Sequence, residues 1–324
     1  FLAVVEHASF SQAARALTVT QPALSRQVRL LEVELRQNLL LRNGRGVRCT
    51  EAGEMMARHA RLILQNAAAA QSDMDNLRGV LSGHVTIAIP TSLSNLLTVP
   101  LIDRLRAELP AATFSLSDGL SFTTQELLMD KRLDIALLYE PENSPELETT
   151  PILKQDLFLI CGAASAHEET RPITLSEAAE LPLVIPRRPH GIRILVESAM
   201  RDVHCKPRIC MEADSIHMIL DFLAAKPGYA ILPLHSIASY ASLGSFHYRR
   251  IVEPELHSRL ILATAAHSPT SPTKRAALKV VRDTCRVSLF PAVQQLLRAA
   301  TEQLRPTDQM RLNPCETVRL VAPE

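Results

Sequence analysis

Cysteine is scarce in this sequence, and its few copies are scattered. The 324 residues include six cysteines with no CxxC pair, at positions 49, 161, 205, 210, 285 and 315. This pattern favours reduced thiols in a cytoplasmic protein over a disulfide framework. A zinc site could draw on His204, Cys205, Cys210 and His217, but their spacing matches no standard site, so we expect no metal ion.

Long apolar runs are missing as well. No stretch approaches the roughly 20 apolar residues that a membrane-spanning helix needs. Residues 1–5 are apolar, but Glu6 and His7 follow at once and no basic region precedes them. They therefore lack the form of a signal peptide. Because the sequence opens on Phe1 rather than Met, we expect the first helix to begin before it.

The common catalytic motifs are also absent. The sequence contains no GxSxG elbow, no GxxxxGK[ST] phosphate loop, no GxGxxG and no HExxH. Residues 271–274 satisfy the SxxK pattern of penicillin-recognising enzymes, but no SDN or KTG partner accompanies them. A Ser-Pro-Thr start to a helix explains the same residues. We therefore expect neither an enzyme nor a cofactor.

Charge is balanced overall but uneven along the chain. Hydrophobic residues make up 47% of the sequence and charged residues 21%, with a net charge of +1, as in an ordinary globular protein. Residues 1–50, however, hold seven arginines against three glutamates. A basic end on a nearly neutral body indicates a nucleic-acid surface confined to that end.

Two short amphipathic patterns lie within this basic end. The first places four apolar residues on one helix face at Phe10, Ala13, Ala14 and Leu17, and the second does so at Leu24, Val28, Leu31 and Leu35. The face opposite the second stripe carries polar side chains that can bond base edges and phosphates: Gln21, Ser25, Arg26 and Arg29. Periodicity alone is equally compatible with two core helices, so the specific residues decide between the alternatives.

Residues 9–17 (SFSQAARAL) and 21–32 (QPALSRQVRLLE), then Arg42, Arg45 and residues 50–53 (TEAG), resemble the winged helix-turn-helix of LysR-type transcriptional regulators. The matching residues are dense and in order over about fifty positions, which is far more specific than a short motif. The Asn-Gly dipeptide at 43–44 predicts the tight turn of the wing hairpin. The resemblance implies DNA contacts from Ser11, Gln21, Pro22, Ala23, Ser25, Arg26, Arg29, Arg42 and Arg45.

Three residues depart from the family pattern. Arg36 stands where the family usually has glycine after the recognition helix, Leu40 where it has phenylalanine, and Cys49 where it has leucine. A non-glycine residue in a left-handed helix-ending position costs on the order of 1–2 kcal/mol. We expect the departure to affect the local turn and not the fold.

A long helix is predicted from residue 50 to about 81, because this stretch lacks proline and has glycine only near its ends. Its apolar residues follow a heptad spacing, which indicates left-handed pairing with another long helix. Packing on the chain's own body is the alternative. LysR-type regulators dimerise through this segment, so the resemblance agrees with the pattern. The seam consists of Met56, Ala60, Ile63, Ala67, Ala70, Met74 and Leu77.

From His84 onward, short apolar strands alternate with helical stretches, which predicts a doubly wound α/β architecture with parallel strands. The family's effector domain has two such subdomains joined by two crossovers, which we place near residues 160–162 and 262–264. Strands are expected at 84–89, 113–117, 134–139, 157–161, 182–186, 207–212, 228–233 and 258–265. Helices are expected near 94–108, 123–131, 174–180, 191–201, 215–225, 234–241 and 272–287.

The predicted organisation has four parts. Residues 1–50 form the winged helix-turn-helix, and residues 51–82 form the linker and dimerisation helix. Residues 83–291 form the effector-binding domain, with subdomain I at 83–160 and 264–291 and subdomain II at 161–263. Residues 292–324 hold a short amphipathic helix beginning near Pro291, followed by a poorly ordered tail.

Ligands of open α/β sheets bind where strands end and helices begin, since helix N-termini offer free N–H groups and a positive dipole. Several such loops carry hydroxyl groups, and one carries two arginines and a histidine, which together suit a small carboxylate. Plain helix capping is the alternative for each hydroxyl, and a solvated loop is the alternative for the basic residues. The predicted effector contacts are Thr91, Ser92, Ser121, Thr123, Arg187, Arg188, His190, Gly191 and Ser215.

These patterns together predict a cytoplasmic, dimeric or tetrameric transcriptional regulator. It would bind promoter DNA and sense an organic or amino acid. Residues 186–193 resemble a branch of the family that includes nitrogen-assimilation regulators. A solute-binding protein without DNA binding is the alternative, since residues 84–290 alone would suit one.

Overall fold

The computed structural model describes most of the chain. The described residues are 1–43, 46–76, 80–139, 145–165, 171–237, 246–266, 271–302 and 318–321.

Three helices and a hairpin make up the N-terminal end: α1 (Leu2–His7), α2 (Phe10–Ala16), α3 (Gln21–Leu35), β1 (Leu40–Asn43) and β2 (Gly46–Cys49). Their core includes Val4, Phe10, Ala13, Ala14, Leu24 and Val28. The predicted helix-turn-helix is therefore observed. The predicted buried stripes are too long at their ends, because Leu17 is 50% exposed and Leu35 is 42% exposed. Each lies beyond the last turn that packs against the small core.

The wing hairpin is observed as β1 paired antiparallel with β2, with Asn43 opposite Gly46. Gly44 and Arg45 at its tip lie outside the described residues. The predicted long helix is α4 (Glu51–Asn76). Leu77, the last residue of the predicted seam, lies outside the described residues.

The remaining strands are β3 (Gly83–Pro90), β4 (Ala112–Gly119), β5 (Ile135–Tyr139), β6 (Leu147–Gly162), β7 (Ile173–Thr174), β8 (Leu183–Pro186), β9 (Ile209–Ala213), β10 (Tyr229–Pro233), β11 (Phe246–Val252), β12 (His257–Ala265) and β13 (Val318–Leu320). The remaining helices are α5 (Ser94–Glu108), α6 (Ser121–Met129), α7 (Leu175–Glu180), α8 (Gly191–Asp202), α9 (Ile216–Ala225), α10 (Pro272–Thr284) and α11 (Phe290–Glu302).

The strands join in the order β4-β3-β5-β12-β6-β10-β8-β9. At one end β3 is parallel to β4 and β5, and at the other β8 is parallel to β9 and β10. The α/β prediction is thus confirmed, and the parallel arrangement holds in each outer group. The central strands differ, because β12 and β6 run antiparallel to each other and to their outer neighbours.

The crossovers lie earlier in the chain than predicted near 160–162 and 262–264. Strand β6 pairs with β12 up to Asp156 and with β10 and β11 from residue 157 on. Strand β12 begins at His257, opposite Asp156, with 2.8 Å between His257 Nδ1 and Asp156 Oδ1. The apolar run from Leu157 is continuous with the strand before it. Composition therefore does not mark where the strand changes partners.

Two further predictions are corrected. The helix expected at 234–241 is a short 3-10 turn at Leu234–Ile237, and residues 238–241 lie outside the described residues. The expected tail contains β13, which pairs antiparallel with β6. Strand β13 has only three residues, and among them only Val318 is buried. Its sequence is therefore too short to show the alternation that predicts a strand.

None of the helices in the described part of the chain combines the length and apolarity that a membrane span requires. The same described residues contain no cluster of His, Cys, Asp and Glu suited to a metal ion.

Candidate DNA-binding surface and effector cavity

The exposed face of α3 presents most of the predicted DNA contacts. Thr20 is the N-cap, Pro22 lies in the first turn, and Leu24 and Val28 hold the opposite face in the core. This leaves Gln21, Pro22, Ala23, Arg26 and Arg29 exposed and Ser25 half-buried. Ser11 is exposed on α2. The hydrogen-bonding side chains of Gln21, Ser25, Arg26 and Arg29 thus lie on one helix, which fits a major groove.

The wing is tied to α3 by Glu32, a contact that the sequence analysis missed. Glu32 Oε1 accepts the N–H groups of Leu39 at 2.8 Å and Leu40 at 3.1 Å, where β1 begins. Nothing in the sequence predicts that a glutamate three turns into a helix will accept hydrogen bonds from a hairpin. The contact sets the direction in which the hairpin leaves the recognition helix. Arg42 lies on β1, with its side chain outside the described residues, and Arg45 lies wholly outside them.

Thr50 and Gly53 join the wing to the linker helix. Thr50 Oγ1 accepts the Gly53 N–H at 2.9 Å, which caps α4, and donates to the Asn38 carbonyl at 2.7 Å. A Cβ atom on Gly53 would lie only 2.0 Å from the Leu39 carbonyl oxygen. The Thr-Glu-Ala-Gly motif therefore serves as a close-packed joint between the DNA-binding end and α4.

Arg36 ends α3 in the left-handed conformation, with φ 52° and ψ 34°. Its N–H donates to the Glu32 and Val33 carbonyls, and the Gln37 N–H donates to the Glu32 carbonyl at 3.0 Å. This is the hydrogen-bond pattern of a Schellman motif, which usually places glycine at the left-handed position. The strain that we predicted from arginine replacing the usual glycine at residue 36 therefore lies at the C-terminal end of α3.

A cavity of about 180 Å³ lies where β3, β4, β8 and β9 end. Six of the nine predicted effector residues line it: Thr91, Ser92, Ser121, His190, Gly191 and Ser215. The 3-10 turn Thr91–Leu93 that leads into α5, and helices α6, α8 and α9, all begin at this cavity. Their N-termini supply N–H groups and a positive potential.

His190 is both a helix cap and a cavity residue. Its Nδ1 accepts the Ile192 N–H at 3.2 Å at the start of α8. Burial lowers the pKa of His190 to about 4, so the ring is neutral at pH 7. Because Nδ1 accepts, Nε2 carries the proton. The ring therefore offers one neutral N–H donor.

Two of the predicted hydroxyls also hold the cavity wall together. Ser215 Oγ accepts the Met218 N–H at 3.2 Å as the cap of α9. Ser121 Oγ accepts the Tyr139 N–H at 2.8 Å, which ties α6 to the end of β5. Each hydroxyl keeps its own proton available, so capping does not exclude a ligand contact.

Arg187, Arg188 and Thr123 do not line the cavity. Arg187 pairs with Asp214 at 3.1 Å, and Arg188 pairs with Glu197. Thr123 is exposed on α6. Both arginines pair with carboxylates on the same subdomain, and the partner of Arg187, Asp214, itself lines the cavity. Helix N-termini, rather than arginines, are the positive feature of the cavity wall.

A buried arginine that the sequence analysis passed over anchors this region. Arg193 is 7% exposed, pairs with Glu197, pairs with Glu212 at 2.8 Å and donates to the Pro186 carbonyl at 3.1 Å. The contacts hold the end of β8 against α8, and thereby set where His190 lies.

Tyr139 is the main cavity residue that the sequence analysis missed. It ends β5, lines the cavity and is only 5% exposed. Its hydroxyl lies 3.4 Å from His235 Nε2, and His235 Nδ1 lies 3.0 Å from Gln155 Oε1. Burial lowers the pKa of His235 to about 4. The rule that placed the other residues at strand ends applies equally to β5. Asp214 and His217 also line the cavity.

Comparisons with known proteins identify both parts of the chain. The family model described as "Bacterial regulatory helix-turn-helix protein, lysR family" matches residues 1–54, and the "LysR substrate binding domain" matches residues 78–286. The nitrogen assimilation regulatory protein nac of Klebsiella aerogenes is 32% identical over 282 residues, covering 87% of this chain and 92% of that protein. The regulator BbuR of Bordetella bronchiseptica is 27% identical, covering 83% and 82%.

Solved structures show the same fold. A full-length OxyR variant from Pseudomonas aeruginosa aligns with a TM-score of 0.71 at 20% identity, covering 89% of this chain and 92% of that one. Full-length CbnR complexed with its target DNA aligns with a TM-score of 0.60 at 22% identity, covering 87% and 96%.

Proposed function

This chain belongs to the LysR family of DNA-binding transcriptional regulators, and we propose that it responds to a small carboxylate bound in the cavity between its subdomains. The observation that carries the proposal is the convergence of helix N-termini on one cavity. The alternative of a solute-binding protein is not favoured, because the helix-turn-helix model matches residues 1–54.

The chemistry of the cavity supports a carboxylate without a lysine or arginine partner. Its described lining combines helix N-termini, the hydroxyls of Ser92 and Ser215, and the neutral ring of His190. These groups donate hydrogen bonds to an anion while the dipoles favour its charge. A cavity of about 180 Å³ suits a compact organic or amino acid. Asp214 also lines the cavity, but its charge is paired with Arg187.

We further propose that Gln21, Pro22, Ala23, Ser25, Arg26 and Arg29 meet the major groove. The proposal extends to Ser11 and to Arg42 and Arg45 of the wing as phosphate or minor-groove contacts. Phosphate contacts position the protein, whereas base contacts specify sequence. Support comes from the exposure of the α3 face and from the basic charge of residues 1–50.

A second copy of the chain is the proposed partner of α4. Ile63 is 61% exposed and Met74 is 58% exposed, although both belong to the heptad seam. Ala67 and Ala70, also exposed, would allow a second helix to approach closely. We propose a dimer or tetramer acting in the cytoplasm. We also retain the four-part division at residues 50, 82 and 291 as a proposal, with the crossovers at the positions described above.

The DNA assignment is tested by changing Arg26 and Arg29 together to alanine in the full chain. Specific operator affinity should fall at least tenfold, since a good base contact is worth ~1–3 kcal/mol, and the salt dependence of binding should weaken. The matched control changes Arg201 and Arg208, which are exposed on the effector domain, to alanine. If the first variant stays within about twofold of the parent, the recognition-helix assignment is wrong.

The effector assignment is tested by a thermal-shift screen of organic and amino acids against the full chain. A ligand that binds only the folded state raises the melting temperature with dose. Each active acid is paired with its own neutral amide as a control. We expect the acid to stabilise and the amide to fail. Equal stabilisation by both would overturn the carboxylate proposal and leave the DNA-binding function intact.

A further inference from the structure

The chain continues beyond the residues that match the family's effector domain, and this continuation packs on the crossover between the subdomains. Strand β13 pairs with the part of β6 just before β6 changes partners, with Val318 opposite Gln155. The Val321 N–H donates to the Ile152 carbonyl at 3.2 Å. The strand is therefore attached within a few residues of the point about which the subdomains would rotate.

The preceding helix α11 contacts the other side of the same crossover. It packs against the 3-10 turn Leu234–Ile237, which follows β10, and it also contacts β13. Val293 on α11 is 2% exposed and Val318 on β13 is 3% exposed, and both belong to the main core. We name residues 290–302 and 318–321 the C-terminal strap, since they touch elements of both subdomains.

A buried hydrogen-bond chain connects the strap to the cavity. Tyr139 lines the cavity and donates to His235 Nε2, and His235 Nδ1 donates to Gln155 Oε1. The rings of Tyr139 and His235 are stacked, with centroids 6.3 Å apart. Gln155 is the residue that pairs with Val318, and His235 belongs to the turn that α11 contacts. Strand β13 thus contacts the residue at one end of these hydrogen bonds, and α11 contacts the turn that carries His235.

We propose that the C-terminal strap is a built-in regulator of the effector cavity: its docking on β6 and the state of the cavity are coupled through Tyr139, His235 and Gln155. Closing the cavity on a ligand requires motion at the crossover, which β13 restrains by pairing on one edge of β6. Coupling of this kind is reciprocal, so a change at the cavity wall must alter how firmly the strap is docked. This inference rests on the proposed role of the cavity.

The first test changes the cavity wall and measures hydrogen exchange in the strap. Tyr139→Phe removes one hydroxyl and preserves the ring. Hydrogen exchange of residues 318–321 in the full chain should accelerate about fivefold, the factor that matches the loss of one net buried hydrogen bond. The matched control is Tyr229→Phe, which removes a similarly buried hydroxyl bonded to the Ser165 carbonyl, outside the chain to the strap. Equal effects of the two variants, or none from Tyr139→Phe, would overturn the coupling.

The second test changes the strap and measures hydrogen exchange around His235 and Gln155. Val318→Asp places a charge at a buried position, whereas Leu320→Asp does so at a position that is 40% exposed. Only Val318→Asp should accelerate exchange at residues 234–237 and 152–156. Acceleration confined to residues 318–321 would show a docked but uncoupled strand. If residues 318–321 of the parent exchange as fast as an unstructured peptide, the strap itself is refuted. Neither test needs a ligand or DNA, so failure here is separable from failure of the proposed function.

Discussion

Replacing Arg36 with glycine should stabilise the DNA-binding end of this regulator. Arg36 holds φ 52° and ψ 34° at the end of α3, a conformation in which the Cβ atom of an L residue crowds the backbone. Its N–H and that of Gln37 already satisfy the last carbonyls of the helix, so glycine loses none of these bonds. The substitution changes strain and leaves the hydrogen bonding unchanged.

The magnitude follows from two opposing terms. Relief of the left-handed conformation is worth on the order of 1–2 kcal/mol. Glycine also increases the freedom of the unfolded chain, which costs roughly 0.5–1 kcal/mol. The net gain should be about 0.5–1 kcal/mol. If residues 1–76 unfold as one small unit, this corresponds to a rise of roughly 2–8 °C in its melting temperature.

The assay is thermal or urea unfolding of the parent chain, Arg36→Gly and Arg36→Ala. The alanine variant removes the same charged side chain but keeps the Cβ atom, so it isolates the contribution of the backbone. We expect the glycine variant to be more stable than the alanine variant by about 0.5–1 kcal/mol. If the two variants unfold together, or if glycine is the weaker, the strain argument fails. Operator affinity measured beside stability will show whether the Arg36 charge itself contacts DNA.

Three further outcomes follow from the structure. Gly53→Ala should cost about 2 kcal/mol or more of stability, because its Cβ would meet the Leu39 carbonyl oxygen at 2.0 Å. Arg193→Leu should cost about 1–3 kcal/mol, since Glu197 and the Pro186 carbonyl would lose a buried donor while Arg188 still pairs with Glu197. Stability should fall as the pH drops from 6.5 towards 4, because the unfolded chain protonates His235 while the folded chain does not. Protonation of His235 in the unfolded chain should lower the free energy of unfolding by about 3 kcal/mol at pH 4.

Unfolding titrations check all three, each with its own contradicting result. Ala52→Ser, one residue before Gly53 and half-buried, should be nearly neutral, so equal losses at both positions would refute the clash. Gain of stability in Arg193→Leu would show that the ion pairs are not needed for packing. His235→Asn should reduce the pH dependence between 6.5 and 4 by about half, because His190 has a similarly lowered pKa, and an unchanged slope would exclude His235 as a source.

The DNA-binding end was predictable because its signals are local. The helix periods, the hairpin turn and the order of the motif residues all lie within about fifty positions. The errors fell at helix ends, where Leu17 and Leu35 keep the period but extend beyond the core. Glu32 was missed because its partners, Leu39 and Leu40 at the start of the hairpin, are fixed by tertiary packing and not by spacing.

The effector cavity was predictable only in part, for a different reason. The rule about strand ends picked out Ser92, Ser121, His190 and Ser215, which the structure places around one cavity, since each follows a recognisable strand. It did not predict that Arg187 and Arg188 lie outside the lining of that cavity, because the acids that pair with them lie on other elements. Two features, the change of partners along β6 and the strand β13, depend on pairing between distant segments. A short apolar run in the sequence does not indicate which segment it will pair with.

The double crossing of β6 and β12 also has a consequence for biosynthesis. Strand β5 needs β12 as a neighbour, so residues 140–256 must leave the ribosome before that edge of the sheet can close. At ~5–20 residues per second, the delay is on the order of 10 s. The helix-turn-helix is complete long before this, whereas the cavity closes only after β12 has been made. A nascent chain could therefore acquire its DNA-binding surface well before it can sense an effector.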